Sequence, residues 1–135
     1  MPVTLSFAET HNYPERRDGI TIPVAVITNG LVIPTYAKVD PGSEFCVFGH
    51  EIGLALGLDV EAGSPMKMES LTGTLDTFGH EVTLQTGNIA IHNVVYFAKH
   101  PGLLRNLLGR NGWLRHLRVA IIDYDNVIHW SPYNA

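Results

Sequence analysis

The sequence contains a single cysteine, Cys46, among its 135 residues, so an intrachain disulfide framework is excluded. Long apolar runs are also missing, and none approaches the roughly 20 residues that a helix needs to cross a bilayer. The first four residues, Met1-Pro2-Val3-Thr4, lack the basic start and apolar stretch of a signal peptide. We therefore expect a soluble, cytoplasmic protein that has no membrane partner.

Charged residues are scarce as well, at 16% of the chain, and the formal net charge is -4. This balance does not favour nucleic-acid binding, which depends on Lys and Arg side chains that neutralise phosphates. One segment is locally basic, and its residues are Arg105, Arg110, Arg115, His116 and Arg118. A nucleic-acid patch there remains an alternative, although an amphipathic segment with a solvated face produces the same pattern.

Hydrophobic residues make up 45% of the sequence, which is enough for a core and too much for a disordered chain. A chain of this length buries about two-thirds of its unfolded surface and fits one domain, residues 1–135. Short runs rich in β-branched residues alternate with turn dipeptides. The pattern predicts a mostly β, barrel-like domain with one or two short helices.

Turn dipeptides locate the predicted strands. Residues 20–28 and 31–39 flank Asn29-Gly30, the dipeptide that best fits a two-residue type I′ hairpin. Gly87-Asn88 predicts a second hairpin, and residues 51–58 predict one or two helical turns. The remaining predicted strands are 3–8, 66–71, 74–84, 89–91, 94–97, 118–122 and 127–130.

The second arm of the first hairpin runs straight into Asp40-Pro41-Gly42-Ser43, which places a carboxylate on a tight turn. Pro presets φ at the second turn position and Gly accepts a positive φ at the third, so these residues also fit an ordinary type II turn. Far downstream, Leu107-Leu108-Gly109-Arg110 has two apolar residues before a glycine, and a helical segment is predicted to follow. Asp40 is the candidate catalytic residue.

Together these two segments resemble the retropepsin-like aspartic peptidases, the family of retroviral proteases and their bacterial relatives, over residues 30–130. The resemblance implies a closed acid-protease barrel with one lobe per chain. It also implies a substrate-covering flap hairpin, which we place at Leu71, Thr72, Gly73 and Thr74 with its turn near Thr72-Gly73. A short helix would then occupy residues 113–117.

The same resemblance implies an aspartic endopeptidase that acts on a peptide or protein substrate and uses neither a metal nor an organic cofactor. Such enzymes need two carboxylates that share one proton. Because this chain has one suitable Asp-x-Gly, the dyad implies a homodimer with Asp40 from each subunit. Leu107, Leu108, Gly109 and Arg110 would support the turn, and Arg110 is predicted to form an ion pair with Glu44.

Pro41 departs from the family pattern, which has Thr or Ser at this position. In the family, the Thr hydroxyl and backbone N–H lock the two active-site turns across the dimer axis, and proline has neither group. Ser43 matches the family residue that packs behind the carboxylate. The alternative function is therefore a catalytically silent dimer that keeps its groove as a peptide- or protein-binding module.

Histidine and cysteine chemistry is less well supported by the sequence. Neither His50-Glu51 nor His80-Glu81 is followed by a second histidine at the spacing of a zinc-binding helix. Cys46 and His50 could form a nucleophile and base, but a core thiol near a polar residue explains them better. We predict no metal site.

Overall fold

The computed structural model describes residues 1–16, 19–103 and 105–135, apart from the side chain of Ser70. Within them the chain forms ten strands and one α-helix: β1 (Glu9–Asn12), β2 (Thr21–Thr28), β3 (Leu31–Val39), β4 (Val47–Phe48), α1 (His50–Ala55), β5 (Ser64–Ser70), β6 (Gly73–Thr86), β7 (Ile89–Ala98), β8 (Asn106–Leu108), β9 (Leu117–Ile122) and β10 (Val127–Pro132). Single turns of 3-10 helix occur at Val60–Ala62, Leu114–His116 and Asp123–Asp125. The predicted mostly β fold is confirmed.

Six of the strands close into a barrel. They neighbour one another in the order β2-β3-β8-β4-β7-β6, and residues 25–27 of β2 pair back onto β6. The last strand of this sheet, β5, pairs with β6 and forms the outer arm of a hairpin. Because the sheet closes on itself, most strands have a hydrogen-bonded neighbour on both sides. The barrel is therefore a rigid platform from which the hairpin and loops project.

The hairpins that the turn dipeptides predict are confirmed. Asn29 and Gly30 have φ values of 53° and 73°, as a type I′ turn requires. Thr86 pairs with Ile89, so Gly87-Asn88 is a two-residue turn, and Gly87 has a φ of 57°. Helix α1 overlaps the predicted helical segment, residues 51–58, but begins one residue earlier and ends at Ala55. In the described part of the chain, no helix combines the length and apolar character needed to span a bilayer.

A separate three-stranded sheet of order β1-β10-β9 joins the two ends of the chain. The prediction of a strand over residues 3–8 is wrong, because β1 begins only at Glu9, which pairs with Trp130. Val3 and Leu5 are 81% and 52% exposed. Alternating apolar residues form a strand only beside a partner strand, and residues 3–8 have none within the described chain.

The sequence prediction also differs from the structure after residue 105. Asn106–Leu108 is a strand, and the helix predicted over residues 113–117 is a single 3-10 turn, Leu114–His116. Trp113 precedes that turn and is fully buried in the core. Its indole N–H donates to the Thr86 hydroxyl at 3.2 Å. This buried hydrogen bond fixes the chain after β8 against the end of β6.

Candidate active site

Asp40 directly follows the last residue of β3 and is half-buried beside β8. The two strands run parallel, with Val39 opposite Leu108. The backbone N–H of Asp40 continues this ladder by donating to the Leu108 carbonyl at 3.0 Å. The position of the carboxylate therefore depends on β8 as well as on its own strand.

Two hydrogen bonds shape the turn after Asp40. The Ser43 N–H donates to the Asp40 carbonyl, and the Gly42 N–H donates to Asp40 Oδ1, both at 3.0 Å. Gly42 does not have a positive φ, so the type II interpretation of this turn is wrong. Pro41 and Gly42 are both exposed, which leaves the surface beside the carboxylate accessible to another molecule.

The segment between β3 and β4, residues 40–46, is the Asp40 loop, and its far side is anchored by Phe45. The Ser43 hydroxyl donates to the Phe45 carbonyl at 2.7 Å. The Phe45 ring packs on Tyr96 of β7, with 5.0 Å between ring centroids. The loop is thus held at its start by β8 and at its end by β7.

Gly109 lets the predicted supporting segment approach the loop closely. A Cβ at this position would collide with the Phe45 carbonyl and would lie 2.7 Å from the Ser43 carbonyl oxygen. The next residue, Arg110, donates its backbone N–H to that Ser43 carbonyl at 2.9 Å. A side chain larger than hydrogen would separate the two segments, which explains the glycine at this position.

The predicted ion pair between Glu44 and Arg110 is wrong for the described chain. Both side chains are exposed, and no ion pair joins them. Their segments meet through peptide groups instead, because the Asn111 N–H donates to the Glu44 carbonyl at 2.8 Å. Peptide groups already hold the segments together, so the two charged side chains extend into solvent.

The hairpin of β5 and β6 and the Asp40 loop line the same cavity. Ser70 pairs with Gly73, so the two-residue tip is Leu71-Thr72, one residue earlier than the predicted Thr72-Gly73. Gly73 follows the tip with a φ of 139°, which favours glycine. Thr72, Gly73 and Thr74 line the space below the hairpin, whereas the Leu71 side chain is fully exposed.

A cleft of about 510 Å³ separates this hairpin from the Asp40 loop. Asp40, Gly42 and Leu107 of β8 line it on one side of the chain's fold, and the hairpin lines it as well. The hairpin contributes Met68 and Leu75, which are directly paired across the two strands. Asp40 therefore lines a mainly apolar cleft.

Leu107 and Leu108 are both predicted to support the turn, but they occupy different environments in the structure. Leu107 lines the cleft, whereas Leu108 is buried in the core at 1% exposure. The lining residues Met68, Leu75 and Val47 were not predicted. The alternation of β5 and β6 identifies which residues share a face, but not what that face covers.

The arrangement offers carboxylate chemistry rather than thiol or metal chemistry. Cys46 is fully buried, and burial raises the pKa of its thiol to about 12, so the nucleophilic thiolate is scarce. The His50 ring bonds the Ala98 carbonyl, with 3.1 Å from Nδ1 to the oxygen. Among the described residues, no three His, Cys, Asp or Glu side chains form a group that could hold a metal ion.

No protein-family model and no curated protein matches the sequence. Solved structures do match. A retropepsin-like aspartic protease from Rickettsia conorii aligns with a TM-score of 0.64 and 17% identity, over 90% of this chain and 98% of that one. The EIAV protease in complex with the inhibitor HBY-793 aligns with a TM-score of 0.51 and 22% identity, over 67% and 80%. The chain therefore has the retropepsin-like fold, and the closed barrel that the resemblance implied is confirmed.

Proposed function

We propose that the protein is an aspartic endopeptidase that acts as a homodimer, with Asp40 of each subunit forming the catalytic pair. The observation that supports this function is the position of Asp40. Asp40 lines an apolar cleft that the β5–β6 hairpin also lines, in a chain with the retropepsin-like fold. A chain with one such aspartate needs a second copy to supply the partner carboxylate.

Two adjacent carboxylates cannot both ionise easily, so they share one proton. The ionised Asp40 removes a proton from a water molecule, which attacks the scissile carbonyl carbon, while the protonated partner polarises the carbonyl oxygen. The Gly42 N–H, which donates to Asp40 Oδ1, orients the carboxylate for both roles. No metal or organic cofactor takes part in this mechanism.

The substrate is a peptide in extended conformation between the hairpin and the Asp40 loop. Its backbone adds to the hairpin as a further strand would, and its apolar side chains pack against Met68, Leu75 and Leu107. The hairpin tip at Leu71 and Thr72 then closes over the peptide and excludes water.

Cleavage of a diverse peptide library tests this proposal, with oligomeric state measured by sedimentation at the same protein concentration. Asp40→Asn preserves shape but removes the acid, and it should reduce cleavage roughly a thousandfold or more. Asp125→Asn is the matched control, because Asp125 is exposed in the 3-10 turn between β9 and β10. Cleavage that survives Asp40→Asn, or that comes from a monomer, would refute the proposed dyad.

Pro41 favours a second candidate function, a catalytically silent dimer that binds peptides or proteins. It has neither the hydroxyl nor the N–H that locks the two turns in the family. If the enzyme is active but its dimer is weakened, Pro41→Thr should strengthen association and raise turnover. A confirmed dimer that binds library peptides without cleaving them would instead support the binding module.

A further inference from the structure

The side chain of Asn106, the first residue of β8, bonds to two other segments of the chain. Its Oδ1 accepts the Gly49 N–H at 2.8 Å. Its Nδ2 donates to the Tyr36 carbonyl at 2.9 Å and to the Thr35 hydroxyl at 3.2 Å. The half-buried amide thus uses both its acceptor and its donor group.

These partners lie on opposite sides of the Asp40 loop. Thr35 and Tyr36 belong to β3, the strand that leads into Asp40. Gly49 directly follows β4, the strand that leaves the loop. Because β8 lies between β3 and β4, the two strands do not pair with each other. The Asn106 side chain therefore connects the entering and leaving segments across the strand that separates them.

The short strand β8 needs such a connection to hold its register. It has three residues, and it pairs with β4 only between Leu107 and Val47. Side chains alternate along a strand, so a slip of one residue would exchange the cleft residue Leu107 with the core residue Leu108. The same slip would move the Leu108 carbonyl away from the Asp40 N–H and break the hydrogen bond between them.

We propose that Asn106 is a positioning residue, which places Asp40 for catalysis by fixing the register of β8. The effect on turnover depends on the proposed peptidase function, whereas the effect on β8 register does not. Asn106→Ala removes all three side-chain hydrogen bonds. Asn106→Asp keeps an acceptor for the Gly49 N–H, and it can donate to the Tyr36 carbonyl only when protonated.

The test compares Asn106→Ala and Asn106→Asp with Ser131→Ala. Ser131→Ala is the matched control because it also removes a partly buried side-chain hydrogen bond, from the Ala8 N–H, yet Ser131 lies in β10 of the separate three-stranded sheet. Two quantities are measured in each protein: hydrogen exchange at the Asp40 backbone amide by NMR, and kcat and KM on a cleaved library peptide. Global stability is measured alongside, so that exchange can be compared at equal stability.

We expect exchange at the Asp40 amide to rise in Asn106→Ala beyond its rise in Ser131→Ala. We expect kcat to fall roughly tenfold to a hundredfold while KM changes little, as for a catalytic group displaced by a fraction of an ångström. The kcat of Asn106→Asp relative to wild type should recover toward acidic pH, where that side chain becomes a donor.

Equal exchange in Asn106→Ala and Ser131→Ala at equal stability would overturn the register proposal. Faster exchange with unchanged kcat would overturn its catalytic part. A wild-type chain that cleaves nothing would instead refute the proposed function, and the exchange comparison would still decide the role of Asn106 in β8.

Discussion

Replacing Gly109 by alanine is the most direct test of how the Asp40 loop is held. Gly109 is buried and does not have a positive φ, so alanine causes no backbone strain there. Its Cβ would nevertheless lie 2.7 Å from the Ser43 carbonyl oxygen, where ordinary contact begins at 3.4 Å, and would collide with the Phe45 carbonyl. Both obstacles are backbone atoms, so a side-chain rotation cannot relieve them.

Overpacking of this kind costs about 1–3 kcal/mol. Relief requires the Asp40 loop to move away, which also breaks the hydrogen bond from the Arg110 N–H to the Ser43 carbonyl, worth about 1 kcal/mol. We therefore expect Gly109→Ala to lower the free energy of unfolding by about 2–4 kcal/mol. Urea denaturation measures this as a lower midpoint at an unchanged m-value.

Gly57→Ala is the matched control. Gly57 has a φ of 75°, and a Cβ there meets nothing within 4 Å. Its replacement should cost about 1–2 kcal/mol, from backbone strain alone. If Gly109→Ala shifted the urea midpoint no more than Gly57→Ala does, the close approach of β8 and the Asp40 loop would not be the reason for glycine at this position.

Three further perturbations test other buried groups. Thr86→Val leaves the Trp113 indole N–H without its partner and should cost about 1–3 kcal/mol in urea denaturation, whereas Thr86→Ser should keep most of the stability. Cys46, whose pKa burial raises to about 12, should resist a thiol reagent at neutral pH until the protein unfolds; rapid labelling of the native state would contradict its burial. Desolvation and the hydrogen bond to Asp123 raise the pKa of Tyr13 to about 12, above its ordinary value of 10.0, so its contribution to stability is present below about pH 10 and is lost as pH rises toward 12. An ultraviolet titration should show a tyrosine ionisation near pH 12 that Tyr13→Phe removes, and a titration unchanged by that substitution would contradict the assignment.

Local sequence signals predicted the parts of the fold whose causes are local. Asn29 and Gly30 adopt positive φ because these residues tolerate it, and the turn then sets the register of β2 and β3. The prediction of a strand over residues 3–8 was wrong for the opposite reason. The alternation there is genuine, but whether the segment becomes a strand depends on a partner strand, which no local pattern encodes.

In the candidate site too, local sequence signals predict some residues, whereas others depend on contacts between distant segments. Asp40 became the candidate because the strand that leads into Asp-Pro-Gly-Ser and the downstream Leu-Leu-Gly-Arg segment together resemble a family pattern, and its catalytic role stays a prediction. The residues opposite it could not be predicted, because Met68 and Leu75 reach the cleft only through the pairing of β5 with β6 and the folding of that hairpin beside the loop.

Gly109 and Asn106 show why the resemblance to a family identifies positions more readily than it identifies causes. The Leu-Leu-Gly-Arg motif marked Gly109, but its physical role is contact with the Ser43 and Phe45 carbonyls, far away in sequence. No motif marked Asn106, because an asparagine at the start of a strand is ordinary until its amide is seen to bond to two other segments. Sequence patterns therefore locate the carboxylate. The contacts that hold it in place arise where three segments, β3, the Asp40 loop and the segment after β4, meet β8.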